Sequence, residues 1–169
     1  GTNNPNTKNI FSIEETEQIF KINFFGTLNC LHALLPFLKK KNNSQVVFMS
    51  SVAGYRGLPY AAAYCSSKSA ITTFAESIYN QCKNLGIALR VINPGFVKTP
   101  LTDKNEFKMP MIIPVEKAAD TIYKKIVFSK KFEINCPRLF CLIMKMLRLF
   151  PNSLYLSLTP VSYTHLRAH

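Results

Sequence analysis

Two short apolar runs constrain this chain more than anything else in it: Val46-Val47-Phe48-Met49, and the stretch from Ile87 to Ile92. Residues 45–50 have the length of a strand and show no polar–apolar alternation. A run of that kind suits a parallel strand covered on both faces. Between the two runs, Ala70, Ile71, Phe74 and Ile78 form the apolar stripe of a helix over 61–84, with Gly86 placed to cap its C-terminus. Upstream, Ser12 followed by Glu15 fits a capping box, and a long helix is expected to run to about Leu38, past Pro36. Ile19, Ile22, Gly26 and Cys30 fall on one face of that helix, and so does Asn23, whose amide must find partners if it is buried. Downstream, Pro114 opens a helix through Phe128, and Phe132 to Cys136 reads as a last edge strand. This repeated strand–helix order predicts a parallel α/β sheet with right-handed crossovers.

A length of 169 residues suits one domain. The formal net charge of +12 could point to a nucleic acid or an anionic membrane. The lysines, however, are scattered as Lys39-Lys40-Lys41, Lys124-Lys125 and Lys130-Lys131, with no basic stripe interleaved with aromatics. A nucleic-acid partner is therefore not expected. Five cysteines, Cys30, Cys65, Cys82, Cys136 and Cys141, include no C-x-x-C, and His32, His165 and His169 have no partner at ligand spacing. Neither a disulfide framework nor a metal site is indicated, and a reducing cytoplasm is the expected compartment.

The chemistry concentrates in the segment after the first apolar run. Tyr64 and Lys68 are four residues apart, so a helix puts phenol and ammonium on one face. A free tyrosine has a pKa near 10, and an adjacent cation favours its phenolate. Thirteen residues before Tyr64, Ser51 closes the first run with a hydroxyl able to hold a substrate oxygen. Ser50 should point to the opposite side of the strand and is the less suited of the two. Beyond lie Asn93-Pro94-Gly95 and Thr99-Pro100.

These spaced elements, together with Asn23 in Lys21-Ile22-Asn23-Phe24-Phe25-Gly26 and Ser50-Ser51-Val52-Ala53-Gly54, resemble the short-chain dehydrogenase/reductase family over roughly residues 12–150. The resemblance implies NAD(P)-dependent interconversion of a ketone and a secondary alcohol, with NAD or NADP as cofactor. It implies that Tyr64 transfers the proton and that Lys68 lowers the Tyr64 pKa and bonds the nicotinamide ribose. Ser51 would hold the substrate oxygen, and Asn23 a water linking Lys68 to solvent. Pro94 and Gly95 would allow close approach of the cofactor, and Thr99 would bond its carboxamide and phosphates. An epimerase or dehydratase relative acting on nucleotide sugars is one alternative, disfavoured by the short Ser-to-Tyr interval and the early Pro-Gly. A catalytically inactive binding or membrane-associated protein is another.

The fold so implied is a Rossmann-like, doubly wound parallel sheet between helix layers. The sequence departs from it in having no Gly-x-Gly-x-x-Gly turn and no Asn-Asn-Ala-Gly strand. We therefore expect the catalytic C-terminal part of a single domain over 1–150, truncated in its cofactor-binding half. A tail over 151–160 follows. Residues 161–169 match a sequencing-library adapter read in one frame and are expected to be non-native.

The region from Leu101 to Ile113 corresponds to the family's lid. Its Phe107, Met109 and Met111, with Phe140 and Met144, fit a hydrophobic substrate or equally ordinary core and dimer packing. Leu139 to Phe150 is apolar but too short to span a bilayer. A cleft-covering helix or an oligomer contact is favoured for it over peripheral membrane binding. The expected partners are a small carbonyl or alcohol substrate and, for the parent enzyme, further copies of itself.

Overall fold

The computed structural model describes residues 10–41, 43–104 and 109–159. Phe107 and the 161–169 segment lie outside the described residues. Three strands, β1 (Ser44–Met49), β2 (Ile87–Pro94) and β3 (Glu133–Cys136), form one sheet in the order β1-β2-β3. Both pairings are parallel, with Val47 opposite Arg90 and Ile92 opposite Ile134. Helix α3 (Ala62–Asn84) links the first pair, and α4 (Val115–Phe128) links the second. The α/β architecture expected from the sequence is present, with strand and helix bounds close to those expected.

The first helical stretch comprises α1 (Ile13–Phe20), a π-helical turn over Lys21–Phe25, and α2 (Gly26–Leu38), which run on from one another with helical backbone at each junction. Ser12 caps it by accepting from the Glu15 backbone N–H at 3.2 Å. The Gly26 N–H reaches back five residues to the Lys21 carbonyl, the bond that defines a π turn. That widened turn inserts one residue into the helical face. Ile19 and Asn23 are buried as expected, but Ile22 and Cys30 are exposed. Phe24, Leu31, Leu35 and Leu38 pack on the core in their place. A constant 3.6-residue period could not foresee the shift.

The main core joins α2 and α3 to one face of the sheet. Phe48 of β1 and Ile87, Leu89 and Val91 of β2 meet Ile71 and Ala75 of α3. Each of these side chains except Ala75 contributes about 1.5–3 kcal/mol when fully buried. Strand alternation sends Arg90 to the other face, where its guanidinium donates to the Ile126 and Lys125 carbonyls of α4. Central β2 is thus covered on both sides. For β1 the expectation holds on one face only: Met49 is half exposed, because α4 packs at the β3 end of the sheet and not over β1.

Past β3, α5 (Arg138–Leu149) turns back over the segment that follows β1. Phe140, Cys141 and Met144 pack on Val52 and Tyr55. The residues expected to be a tail include a short helix, α6 (Asn152–Leu158).

Candidate active site

Ser50 and Ser51 stand at the end of β1 and diverge, as alternation requires. The Ser50 hydroxyl donates to the Lys68 carbonyl at 2.9 Å and lies 2.8 Å from the Thr72 hydroxyl. It ties the strand end to α3 at the turn from which Lys68 emerges. The Ser51 hydroxyl accepts from the Ala53 N–H at 3.2 Å and so caps a 3-10 turn over Val52–Gly54. It also lies near enough to the Tyr64 phenol to favour its ionised form. Gly54 lets this turn approach α3: a Cβ there would sit 3.0 Å from the Lys68 carbonyl carbon and oxygen.

Tyr64 and Lys68 share a face of α3, with the ammonium 5.7 Å from the phenol ring centroid. Lys68 is 5 % exposed, and its Nζ donates to the Met49 carbonyl at 2.9 Å. Burial holds the Lys68 ammonium well below its ordinary value, at about 8. Burial likewise pushes the Tyr64 phenol up, and the Ser51 hydroxyl only partly offsets it. The cation was expected to lower the phenol. In this geometry the ammonium bonds a backbone carbonyl, and desolvation of the phenol dominates.

Asn23 reaches the same helix by another route. Its amide donates to the Ser67 hydroxyl at 3.1 Å, and Ser67 donates to the Tyr64 carbonyl at 2.8 Å. The fully buried Ser67 is a link that sequence reasoning missed. Its place between Tyr64 and Lys68 was the available signal. The structure therefore brings Asn23, Ser51, Tyr64 and Lys68 together around one turn of α3.

Pro94, Gly95 and Thr99 behave differently. The Ser51 hydroxyl lies 3.5 Å from the Pro94 carbonyl, which keeps this strand end beside the site. A Cβ on Gly95 would fall 2.6 Å from the Phe140 ring and 3.2 Å from Pro137. The close approach at Gly95 is thus made by a side chain of α5. The Thr99 hydroxyl faces that of Thr102 at 3.4 Å, inside its own turn. For a dinucleotide, the ribose end fits: a buried ammonium with further N–H groups to donate stands beside a phenol. The phosphate end does not fit, since Gly95 is filled by Phe140 and Thr99 is turned inward.

A second polar group was not foreseen. The Tyr55 hydroxyl donates to Glu133 at 2.5 Å and lies 2.9 Å from the Asn135 amide oxygen, and Asn93 donates to Glu133 at 2.9 Å. Lys145 forms an ion pair with the other Glu133 oxygen. Burial pulls the Glu133 carboxyl up, but its bonds from Lys145 and Tyr55 prevail and hold it below the usual range. The one sequence signal was that Glu133 is the sole carboxylate after Asp120.

The family model described as short chain dehydrogenase matches residues 1–109. An uncharacterized oxidoreductase of Myxococcus xanthus is 34% identical over 142 residues, covering 84% of this chain and 56% of that protein. Human 17-beta-hydroxysteroid dehydrogenase 13 is 27% identical over 142 residues, covering 82% of this chain and 47% of that protein. The chain thus spans about half the length of the curated relatives it matches. A crystal structure of a short chain dehydrogenase from Burkholderia cenocepacia in complex with NADP shares the fold. The TM-score is 0.75 at 20% identity, over 86% of this chain and 61% of that one.

Proposed function

Since the chain belongs to the short-chain dehydrogenase/reductase family of oxidoreductases, we propose that its residues form the acid/base half of an NAD(P)-dependent site that interconverts a ketone and a secondary alcohol. The observation that carries this reading is the buried Lys68 ammonium 5.7 Å from the Tyr64 ring centroid, on one face of α3 beside the Ser51 strand end. When bound, the nicotinamide supplies or accepts the hydride. In the reducing direction, Tyr64 donates its phenolic proton to the carbonyl oxygen. Ser51 donates a hydrogen bond to the same oxygen, where charge develops. Lys68 stabilises the phenolate that remains and bonds the ribose hydroxyls. Asn23 holds the water through which the proton is replaced and, through Ser67, fixes the turn of α3 that carries Tyr64. The substrate class is a small carbonyl or alcohol compound, and these residues carry no feature that separates NAD from NADP.

The test is Tyr64→Phe in the longer protein that this reading calls for, one that joins these residues to a phosphate-binding turn. Removing a positioned proton donor is expected to lower kcat/KM by about 10²–10⁴-fold. Nicotinamide binding, measured by fluorescence, should change little. Turnover equal to that of the unaltered protein would overturn the assignment.

A further inference from the structure

Helix α5 has two apolar faces, and only one of them is used by the fold. The inner face buries Phe140, Cys141 and Met144 against the loop that follows Ser51. Leu139, Leu142, Ile143, Met146 and Leu149 point the other way, from 38 % exposed at Ile143 to 84 % at Leu149. At 100° per residue these five share an arc of about 120°.

Charge selects what would cover this surface. Arg138 and Lys145 lie along one border of the arc, Lys145 paired with Glu133, and the chain from Ile134 to Thr159 contains no Asp or Glu. An open recess of about 380 Å³ adjoins it, lined by Leu142 together with Lys125, Lys131, Arg138 and Lys145, against the single carboxylate Glu133. A second copy docking α5 against α5 would bring a second set of cations to the contact with no acidic residue between Ile134 and Thr159 to answer them. An acidic surface with an apolar interior would answer both features: the headgroups meet the cations, and the acyl boundary takes the leucines. The helix is 12 residues long, and among the described residues no helix is long and apolar enough to cross a membrane, so α5 would lie on the surface.

We propose that the outer arc of α5 docks on an anionic lipid bilayer. The inference does not depend on the oxidoreductase chemistry. Because the inner face of α5 covers the segment between Ser51 and Tyr64, docking would place the proposed site at the lipid surface. The test is co-sedimentation of the chain with vesicles of phosphatidylglycerol and phosphatidylcholine, against phosphatidylcholine alone.

Binding is expected on the anionic vesicles and should weaken as salt is raised. Leu142→Glu combined with Met146→Glu should reduce it roughly tenfold or more, the effect of withdrawing a buried aliphatic side chain. Lys131→Gln combined with Arg138→Gln should reduce the preference for anionic lipid and leave the thermal melt unchanged. Failure to bind anionic vesicles would overturn the proposal, as would binding that ignores both pairs of substitutions. So would a dimer, seen by sedimentation velocity, that the Leu142 and Met146 changes dissolve.

Discussion

At the scale of single residues, the cost of the site is concentrated in Lys68. Its ammonium is almost wholly buried, and one carbonyl bond does not restore what hydration supplied. The folded pKa, about 8, lies below the ordinary lysine value. Between about 8 and about 10.4 the unfolded chain therefore holds more protons than the folded one. Stability should rise with pH across that window and be lowest below it, where the charge stays buried. Lys68→Met keeps the unbranched apolar stem and removes the charge. It is expected to raise Tm at pH 7 and to abolish the rise above pH 8, while in the longer protein it removes turnover. Thermal melts from pH 7 to pH 10.5 would measure this, and a Tm at pH 7 below that of the unaltered protein would refute it. Ser67 and Gly54 are less costly parts of the same site, one a hydrogen-bond link and the other a glycine that lets the loop meet the helix.

At the scale of elements, the segment between Ser51 and Tyr64 is held by the C-terminal helices. Arg56 donates to the Arg148 and Phe150 carbonyls at 2.9 and 3.1 Å and to the Asn152 side chain at 2.8 Å. Its guanidinium also lies 4.2 Å from the Tyr155 ring centroid, and Tyr155 donates to the Gly57 carbonyl at 2.5 Å. One planar fork thus caps the end of α5, holds the start of α6 and stacks on an aromatic ring. Arg56→Ala should cost about 1–3 kcal/mol, read as a fall in the denaturation midpoint, and should open α6 to proteolysis. Arg56→Lys should recover little of this, because an ammonium cannot reproduce the fork. Full recovery by lysine would mean that charge alone matters here. The π turn is the other decision taken at this scale, since it selects which side of the first helical stretch faces α3.

At the scale of the whole molecule, cradle and chemistry separate. The described sheet has three parallel strands, and among the described residues the outer edge of β1 has no partner strand. The sequence has no Gly-x-Gly-x-x-Gly turn, and Phe140 fills the approach to Gly95. The purified 169-residue chain is therefore expected to give no fluorescence change on titration with NADH or NADPH and no turnover of either. Measurable turnover would show that these residues alone suffice to hold the cofactor.

The strand–helix order, the parallel sheet and the grouping of Ser51, Tyr64 and Lys68 were legible because each follows from local periodicity or short spacing. Asn23 was legible as a residue, but its connection to α3 through Ser67 was not, since the contact spans 44 positions. The π turn, the filling of Gly95 by Phe140, the Arg56 fork and the Tyr55–Glu133 cluster depend on side chains from segments far apart in sequence. The burial that raises Tyr64 and lowers Lys68 has the same origin: a sequence names the ionisable groups, and only packing decides how much water they lose.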